Sequence, residues 1–261
     1  MAHGFELFSD IFVLRDNALR RLDVRVKWLA VLAICGIVLV CRRPYLPLGV
    51  FAVAVGALRW VRLPVRLMAT RLALPLGMAV VLCVLRAFLV PGEALWSVQV
   101  WRWTLVATRS GLAEGVLLAS RVLGSMSVLI LFSTVTPAHE VFAALRWLRM
   151  PRTWVETAML MYRYTFALVE HAADVFSAQR TRLGYVGWRR SLGSVGTLAG
   201  SVLMRSMEQA ERTHQAMVAR GYSGQWPTRR MGRVPVGQAL GAMLLVGVLV
   251  ALWWATERWG R

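Results

Sequence analysis

The sequence predicts an all-α integral membrane protein, with about five transmembrane helices and a cytoplasmic pair of long amphipathic helices. Three observations carry that prediction. Of the 261 residues 57% are hydrophobic and the mean hydropathy is positive, with several apolar runs long enough to cross a hydrocarbon core of about 30 Å. The polar sequence is concentrated in one block, 136–235, that carries two long runs of helical periodicity. Finally, the arginines cluster between the apolar runs, as expected where basic residues resist translocation.

Residues 1–23 carry Glu6, Asp10 and Asp16 and end in an amphipathic stretch, Asn17 to Asp23, expected to lie at the membrane surface. No short apolar region with a small-residue cleavage site follows, so the first apolar run is expected to stay as a span and not to leave as a signal peptide. Apolar runs follow at 24–41, 44–60, 72–90, 112–134 and 236–255. Each is apolar on every face, the pattern of a helix surrounded by lipid or protein. Pro44 and Pro47 open the second and Pro75 lies in the third, so kinks or tilt are expected there. Trp96, Trp101 and Trp103 between the third and fourth runs suit the headgroup level, as an interfacial segment on the outer side. The chain thus divides into 1–135, 136–235 and 236–261.

The polar block carries its own punctuation. Thr136 is an N-cap before Pro137 at the first helical position, and Met150, ahead of Pro151, ends that short helix. A first long helix is expected from Pro151 to Arg182 with Gly184 beyond its end, and a second from about Ser191 to Arg220 with Gly221 beyond. Trp154, Ala158, Met161, Tyr162, Thr165, Leu168 and Val169 form an apolar stripe on the first. Leu192, Val195, Leu198, Val202, Leu203 and Met207 do so on the second, with Glu208 and Arg212 paired four residues apart on its polar side. Neither is apolar enough to span, and both leave a greasy face for the membrane, a neighbouring helix or another protein. Met150, Met159, Met161, Met204, Met207 and Met217 make that surface pliable.

Orientation follows from the basic residues. With the N-terminus inside, 23 of the 31 Lys and Arg fall on the inner side and seven on the outer, and Arg121 lies within the fourth run. The N-terminus and the polar block are therefore expected in the cytoplasm and the C-terminus outside. The formal charge of +18 is accounted for by this retention and does not call for nucleic acid.

Several chemistries are excluded by what the chain lacks. The interiors of the five runs carry no Asp or Glu for a proton relay or an ion-coupled carrier. Cys35, Cys41 and Cys83, and His3, His139, His171 and His214, have neither paired nor ligand spacing, so no disulfide framework and no metal site are expected. Gly193, Gly196 and Gly200 lie in a helical stripe with no Lys-Ser/Thr after them and form no phosphate cradle. The chain is expected to be non-catalytic, with no catalytic residue and no bound cofactor. Arg121 is the one cation at depth, expected to face the bundle interior and find a carbonyl or hydroxyl, with Ser120, Ser125 and Ser127 nearby, or to snorkel outward.

Arg182 and Arg220 stand at helix C-termini, where the macrodipole favours a cation and glycine just beyond allows a tight turn. Two long helices that each present one arginine suit two equivalent acceptor grooves on a two-fold partner. Guanidinium fits that role because it grips a carboxylate through two parallel bonds.

At these residues the sequence resembles the transmembrane (T) component of energy-coupling factor transporters, an ABC transporter class, and within it the cobalt/nickel branch called CbiQ or NikQ. Leu22-Asp23-Val24-Arg25-Val26-Lys27 is similar to that family's Leu-Asp-Pro-Arg-x-Lys opening, with Val24 in place of proline. Thr134 to Pro137, Met150-Pro151-Arg152, and Tyr162-Arg163-Tyr164 followed by Glu170 keep the family's order. Ala178-Gln179-Arg180-Thr181-Arg182-Leu183-Gly184-Tyr185 resembles its first coupling motif, and Ala219-Arg220-Gly221-Tyr222-Ser223-Gly224 its second.

The resemblance implies a multi-pass protein of the prokaryotic inner (plasma) membrane that works in cobalt or nickel import associated with cobalamin biosynthesis. It implies as partners two ATP-binding-cassette ATPase subunits, a substrate-binding (S) membrane subunit for the metal with a small auxiliary membrane subunit, and the lipid bilayer. Ala178, Gln179, Arg182, Gly184, Ala219, Arg220 and Gly221 would couple to the ATPases, and Met159, Tyr162, Met204 and Met207 would touch the substrate subunit. The same scaffold serving a vitamin, and a membrane scaffold without ATP coupling, are the alternatives.

Overall fold

The structure is a computed structural model that describes residues 22–61, 63–91, 94–100, 103–224 and 235–258. Residues 17–21 of the expected amphipathic stretch and Trp101 lie outside these residues. The chain divides into two compact units, Met1–Glu140 with Arg233–Arg261, and Val141–Gly232.

In the first unit each apolar run is a helix whose ends have identifiable causes. Helix α1 (Val24–Val40) is N-capped by Asp23, whose carboxylate accepts the N–H of Arg25 at 3.0 Å. Helix α2 (Tyr45–Trp60) follows Pro44 and tolerates Pro47 in its first turn, where the missing N–H has no intrahelical partner to lose. Helix α3 (Val65–Leu89) begins seven residues ahead of the apolar run at 72, because Arg66 and Arg71 are good helix formers and do not interrupt it. Strands β1 (Ala94–Val100) and β2 (Trp103–Thr108) pair antiparallel, Trp96 opposite Ala107 and Val100 opposite Trp103. The segment read from its tryptophans as interfacial is thus a short hairpin inserted in an otherwise helical chain. Helix α4 (Arg109–Val135) starts at Thr108, whose hydroxyl accepts the Gly111 N–H at 3.3 Å and donates to the Val90 carbonyl at 2.6 Å, tying the start of α4 to the end of α3.

Helix α4 is central and packs on α1, α2 and α3. Its contact face is built of small residues: Gly111, Gly115, Ser120, Gly124 and Ser127 are all buried. A Cβ on Gly115 would stand 2.9 Å from the Cys83 carbonyl oxygen of α3, and one on Gly124 would stand 2.8 Å from that of Pro47 in α2. Close backbone approach through residues spaced like Gly111 and Gly115 is how helices associate in lipid, where no hydrophobic force drives them together. Around this face, Val38, Cys41, Leu46, Val50, Ala54 and Val128 form one buried cluster and Leu58, Val61, Leu63 and Val135 another.

The outside is as apolar as the inside. Leu74 is 83% exposed, Val53 74% and Met243 72%, a distribution that water would penalise and lipid tails would not. Among the described residues three helices, α3, α4 and α8 (Val236–Arg258, apolar over Val236–Thr256), are long and apolar enough to cross a membrane. The other two apolar helices, α1 and α2, have 17 and 16 residues, about 25 Å each. Apart from the β1–β2 hairpin, the chain is an all-α membrane protein in its architecture.

Helix α5 (Ala138–Trp147) leads into the second unit, which is dominated by α6 (Arg152–Thr181, 30 residues) and α7 (Trp188–Ala219, 32 residues). At 1.5 Å per residue these are about 45 and 48 Å long. They bury little: Val155 and Glu156 on α6 and no residue of α7. An aromatic ladder holds α5 to α6, with the Tyr162 ring edge-on to Phe142 at 5.8 Å and to Phe166 at 5.1 Å.

Candidate interaction site at two arginine-capped turns

The two long helices end in the same turn. At the end of α6, the Leu183 N–H donates to the Arg180 carbonyl at 3.1 Å and the Gly184 N–H to that of Gln179 at 2.9 Å. At the end of α7, the Gly221 N–H donates to the Val218 carbonyl at 2.9 Å and the Tyr222 N–H to that of Met217 at 3.0 Å. Both are the paired inner and outer bonds of a Schellman motif. Arg182 and Arg220 hold the same place in it, as C-caps with φ −87° and −94°. Both side chains are exposed, and neither has a hydrogen-bonding or ionic partner among the described residues. Ala178 accepts the Arg182 N–H at 3.3 Å, whereas Ala219 directly precedes Arg220, whose N–H donates to the Met217 carbonyl at 3.0 Å.

The left-handed residue differs between the two turns. Gly221 takes it in the second, with φ +82°, as its sequence predicts. In the first it falls on Leu183, with φ +58°, and not on Gly184. The expectation that glycine makes that turn is corrected: Gly184 is needed for space. A Cβ there would lie 2.7 Å from Ser194 Oγ and 2.9 Å from the Gln179 carbonyl oxygen. Two side chains brace the turn. Ser194 Oγ donates to the Gly184 carbonyl at 2.7 Å, and the Tyr185 hydroxyl donates to Gln179 Oε1 at 2.7 Å while its ring lies 4.8 Å from Phe176. Tyr185 and Ser194 were not singled out from sequence as supports, because the contact joins residues across a turn.

Arg220 does not stand alone. It shares a cleft of about 280 Å³ with Arg163 and Tyr164 of α6 and with Gln209, Arg212 and Thr213 of α7. Arg212 and Arg220 are eight residues apart, a spacing that puts them on one helix face and was legible in the sequence. The approach of Arg163 was not.

Of the residues expected to contact a membrane partner, Met204 and Met207 are 60% and 61% exposed, and Met159 is half-buried. Tyr162 is engaged in the aromatic ladder. In the first unit Arg121 has found a carbonyl: Nε and Nη2 both donate to the Cys41 oxygen, at 3.1 and 2.7 Å. Ser120, Ser125 and Ser127 do not help it, since their hydroxyls bond carbonyls of their own helix, at Leu117, Arg121 and Gly124. Among the described residues no three His, Cys, Asp or Glu side chains converge as a metal site.

The family model CbiQ, described as cobalt transport protein, matches residues 15–231, which include both arginine turns. The chain belongs to the CbiQ family of cobalt transport proteins. Among its relatives is the cobalt transport protein CbiQ of Rhodobacter capsulatus, 30% identical over 73% of this chain and 72% of that one. A fused cobalt transport protein CbiMQ of Methanocorpusculum labreanum is 30% identical over 80% of this chain but only 35% of its own length. An uncharacterized protein of Methanocaldococcus jannaschii is 29% identical over 80% of this chain and 78% of that protein. Membership of this family and the membrane-spanning helices make the chain a membrane component of cobalt transport.

Proposed function

We propose that this chain is the energy-coupling subunit of an ATP-driven cobalt or nickel importer of the prokaryotic inner membrane. It holds two ATPase subunits through Arg182 and Arg220 and passes their opening and closing to a separate substrate-binding membrane subunit. The observation that carries this reading is the repetition of one turn: two helices of 30 and 32 residues end in equivalent Schellman motifs with an exposed arginine at the C-cap of each. A two-fold pair of ATPases supplies two equivalent carboxylate-bearing grooves, and a stiff helix transmits displacement of its tip along its length.

The substrate subunit would take the exposed apolar stripe of α7, including Met204 and Met207, which can re-pack as it moves. The fused CbiMQ relative supports a partner module held beside this chain, since its name joins a second transport segment to a region similar to this one. The chain itself works without chemistry, binding neither metal nor nucleotide. The basic residues favour an arrangement with α6 and α7 in the cytoplasm and the C-terminal end of α8 outside.

Co-purification with the ATPases followed by reconstitution tests the proposal. A stable complex with two ATPase subunits that takes up cobalt or nickel only with ATP is expected. Isolation without ATPases, or uptake independent of ATP, refutes it. Labelling single cysteines at Ser223 and Thr256 from either side of the membrane tests the orientation, and both on one side would overturn it.

A further inference from the structure

The two arginine turns have the same backbone but different surroundings. At the second, the cleft shared by Arg163, Arg212 and Arg220 presents donors almost exclusively, and no carboxylate lines it. A chain of hydrogen bonds across its floor points the same way. Gln209 Nε2 donates to Thr213 Oγ1 at 3.3 Å, and Thr213 Oγ1 donates to the Tyr164 hydroxyl at 3.0 Å, which leaves the Tyr164 proton with no acceptor among the described residues. Glu208 partly offsets Arg212 at 3.5 Å, but it also serves Arg205 at 3.9 Å and lies outside the cleft lining. Three guanidinium groups and a phenol therefore line a cleft that has no carboxylate among its lining residues.

We propose that this cleft receives an acidic segment of one ATPase subunit, bearing at least two carboxylates, with Arg163 and Arg212 gripping it beside Arg220. The inference rests on the coupling role proposed above and sharpens it: the second turn engages through a built polyvalent site, whereas the first presents Arg182 beside exposed Leu183, Val186 and Trp188. A carboxylate pair fits better than a single one because guanidinium groups on two helices cannot all fork to one acceptor. An ATPase dimer with identical grooves would thus be held unequally by its two contacts.

The test compares two variants that remove equal charge from the α6–α7 unit of the intact complex. Arg163→Gln with Arg212→Gln empties the cleft of two donors, and Arg149→Gln with Arg152→Gln removes two exposed arginines from the start of α6. ATPase affinity is measured for each in detergent and in vesicles with and without phosphatidylglycerol. The cleft variant is expected to weaken ATPase binding by at least about tenfold, with little further loss when Arg220→Ala is added, and the control pair is expected to bind as wild type. Equal loss in the two pairs would mean that net charge alone is read and would overturn the proposal. Unchanged ATPase affinity in the cleft variant would overturn it too, and loss of phosphatidylglycerol dependence in that case would assign the cleft to a lipid headgroup. If the wild-type chain bound no ATPase at all, the coupling role itself would fail, a result distinct from either.

Discussion

Arg121, on α4, donates two N–H groups to the carbonyl oxygen of Cys41, the C-cap of α1, at 3.1 and 2.7 Å. The last carbonyls of a helix have no intrahelical partner, and this guanidinium satisfies one of them while placing a cation at the negative pole of the α1 dipole. The same contact gives a charge at membrane depth somewhere to go.

Replacing Arg121 by leucine is expected to leave the Cys41 carbonyl unpaired and to lower the stability of the detergent-solubilised protein by about 1–3 kcal/mol. Lysine should recover part of the loss through a single donor. Thermal unfolding of the three proteins measures this, and an Arg121→Leu variant as stable as wild type would show that the pair is dispensable.

The small-residue face of α4 makes a second prediction. Gly115→Leu and Gly124→Leu would push α4 off α3 and α2 and should each cost about 1–3 kcal/mol through overpacking, because a Cβ already meets a carbonyl oxygen at 2.9 or 2.8 Å. Gly36 and Gly56 have open space around the same position, so leucine there should be tolerated. The same unfolding assay, with the Gly36 and Gly56 variants as controls, checks it; equal effects at all four sites would contradict the packing described.

Leu183 carries the third. A non-glycine residue in the left-handed region costs about 1–2 kcal/mol, and Leu183 is 64% exposed, so little packing offsets it. Leu183→Gly is therefore expected to be neutral or stabilising by up to about 1 kcal/mol after the entropy of glycine is counted. Gly221→Ala should be destabilising by a similar amount, and Gly184→Ala should loosen the Ser194 brace. Helix content against temperature in the α6–α7 unit of the full chain reads all three, and a destabilised Leu183→Gly would mean that the leucine side chain itself supports the turn.

These residues mark what sequence alone can and cannot place. Gly221 carries its chemistry locally, as a turn, so the end of α7 could be read directly; Asp23 and Thr108 are caps of the same local kind, yet the fourth apolar run was read from 112 whereas α4 starts at Arg109. The start of α7 could not: Gly187, with φ +85° and no side-chain cap, begins the helix at Trp188, three residues before Ser191. The β1–β2 hairpin was hidden because its tryptophans dominated the reading over the alternation of Val98 and Val100. Gly111, Gly115 and Gly124 were visible at helical spacing, but their importance depends on which helix lies opposite. Likewise, both arginine tips were found from capping signals, whereas the cleft around Arg220 exists only because α6 brings Arg163 beside α7, a contact between residues nearly fifty positions apart.

The most direct test of the coupling role is ATPase retention and ATP-driven cobalt uptake by the Arg182→Ala, Arg220→Ala and doubly substituted proteins. Each arginine removed takes away a charge-assisted grip of about 1.5–3 kcal/mol, so each single variant should lose affinity and uptake by roughly tenfold or more. Lysine at either position should rescue in part, since a point charge cannot make the fork. The double alanine variant should release the ATPases and abolish uptake while remaining folded in the membrane. Full ATPase binding and uptake in that double variant would contradict the account.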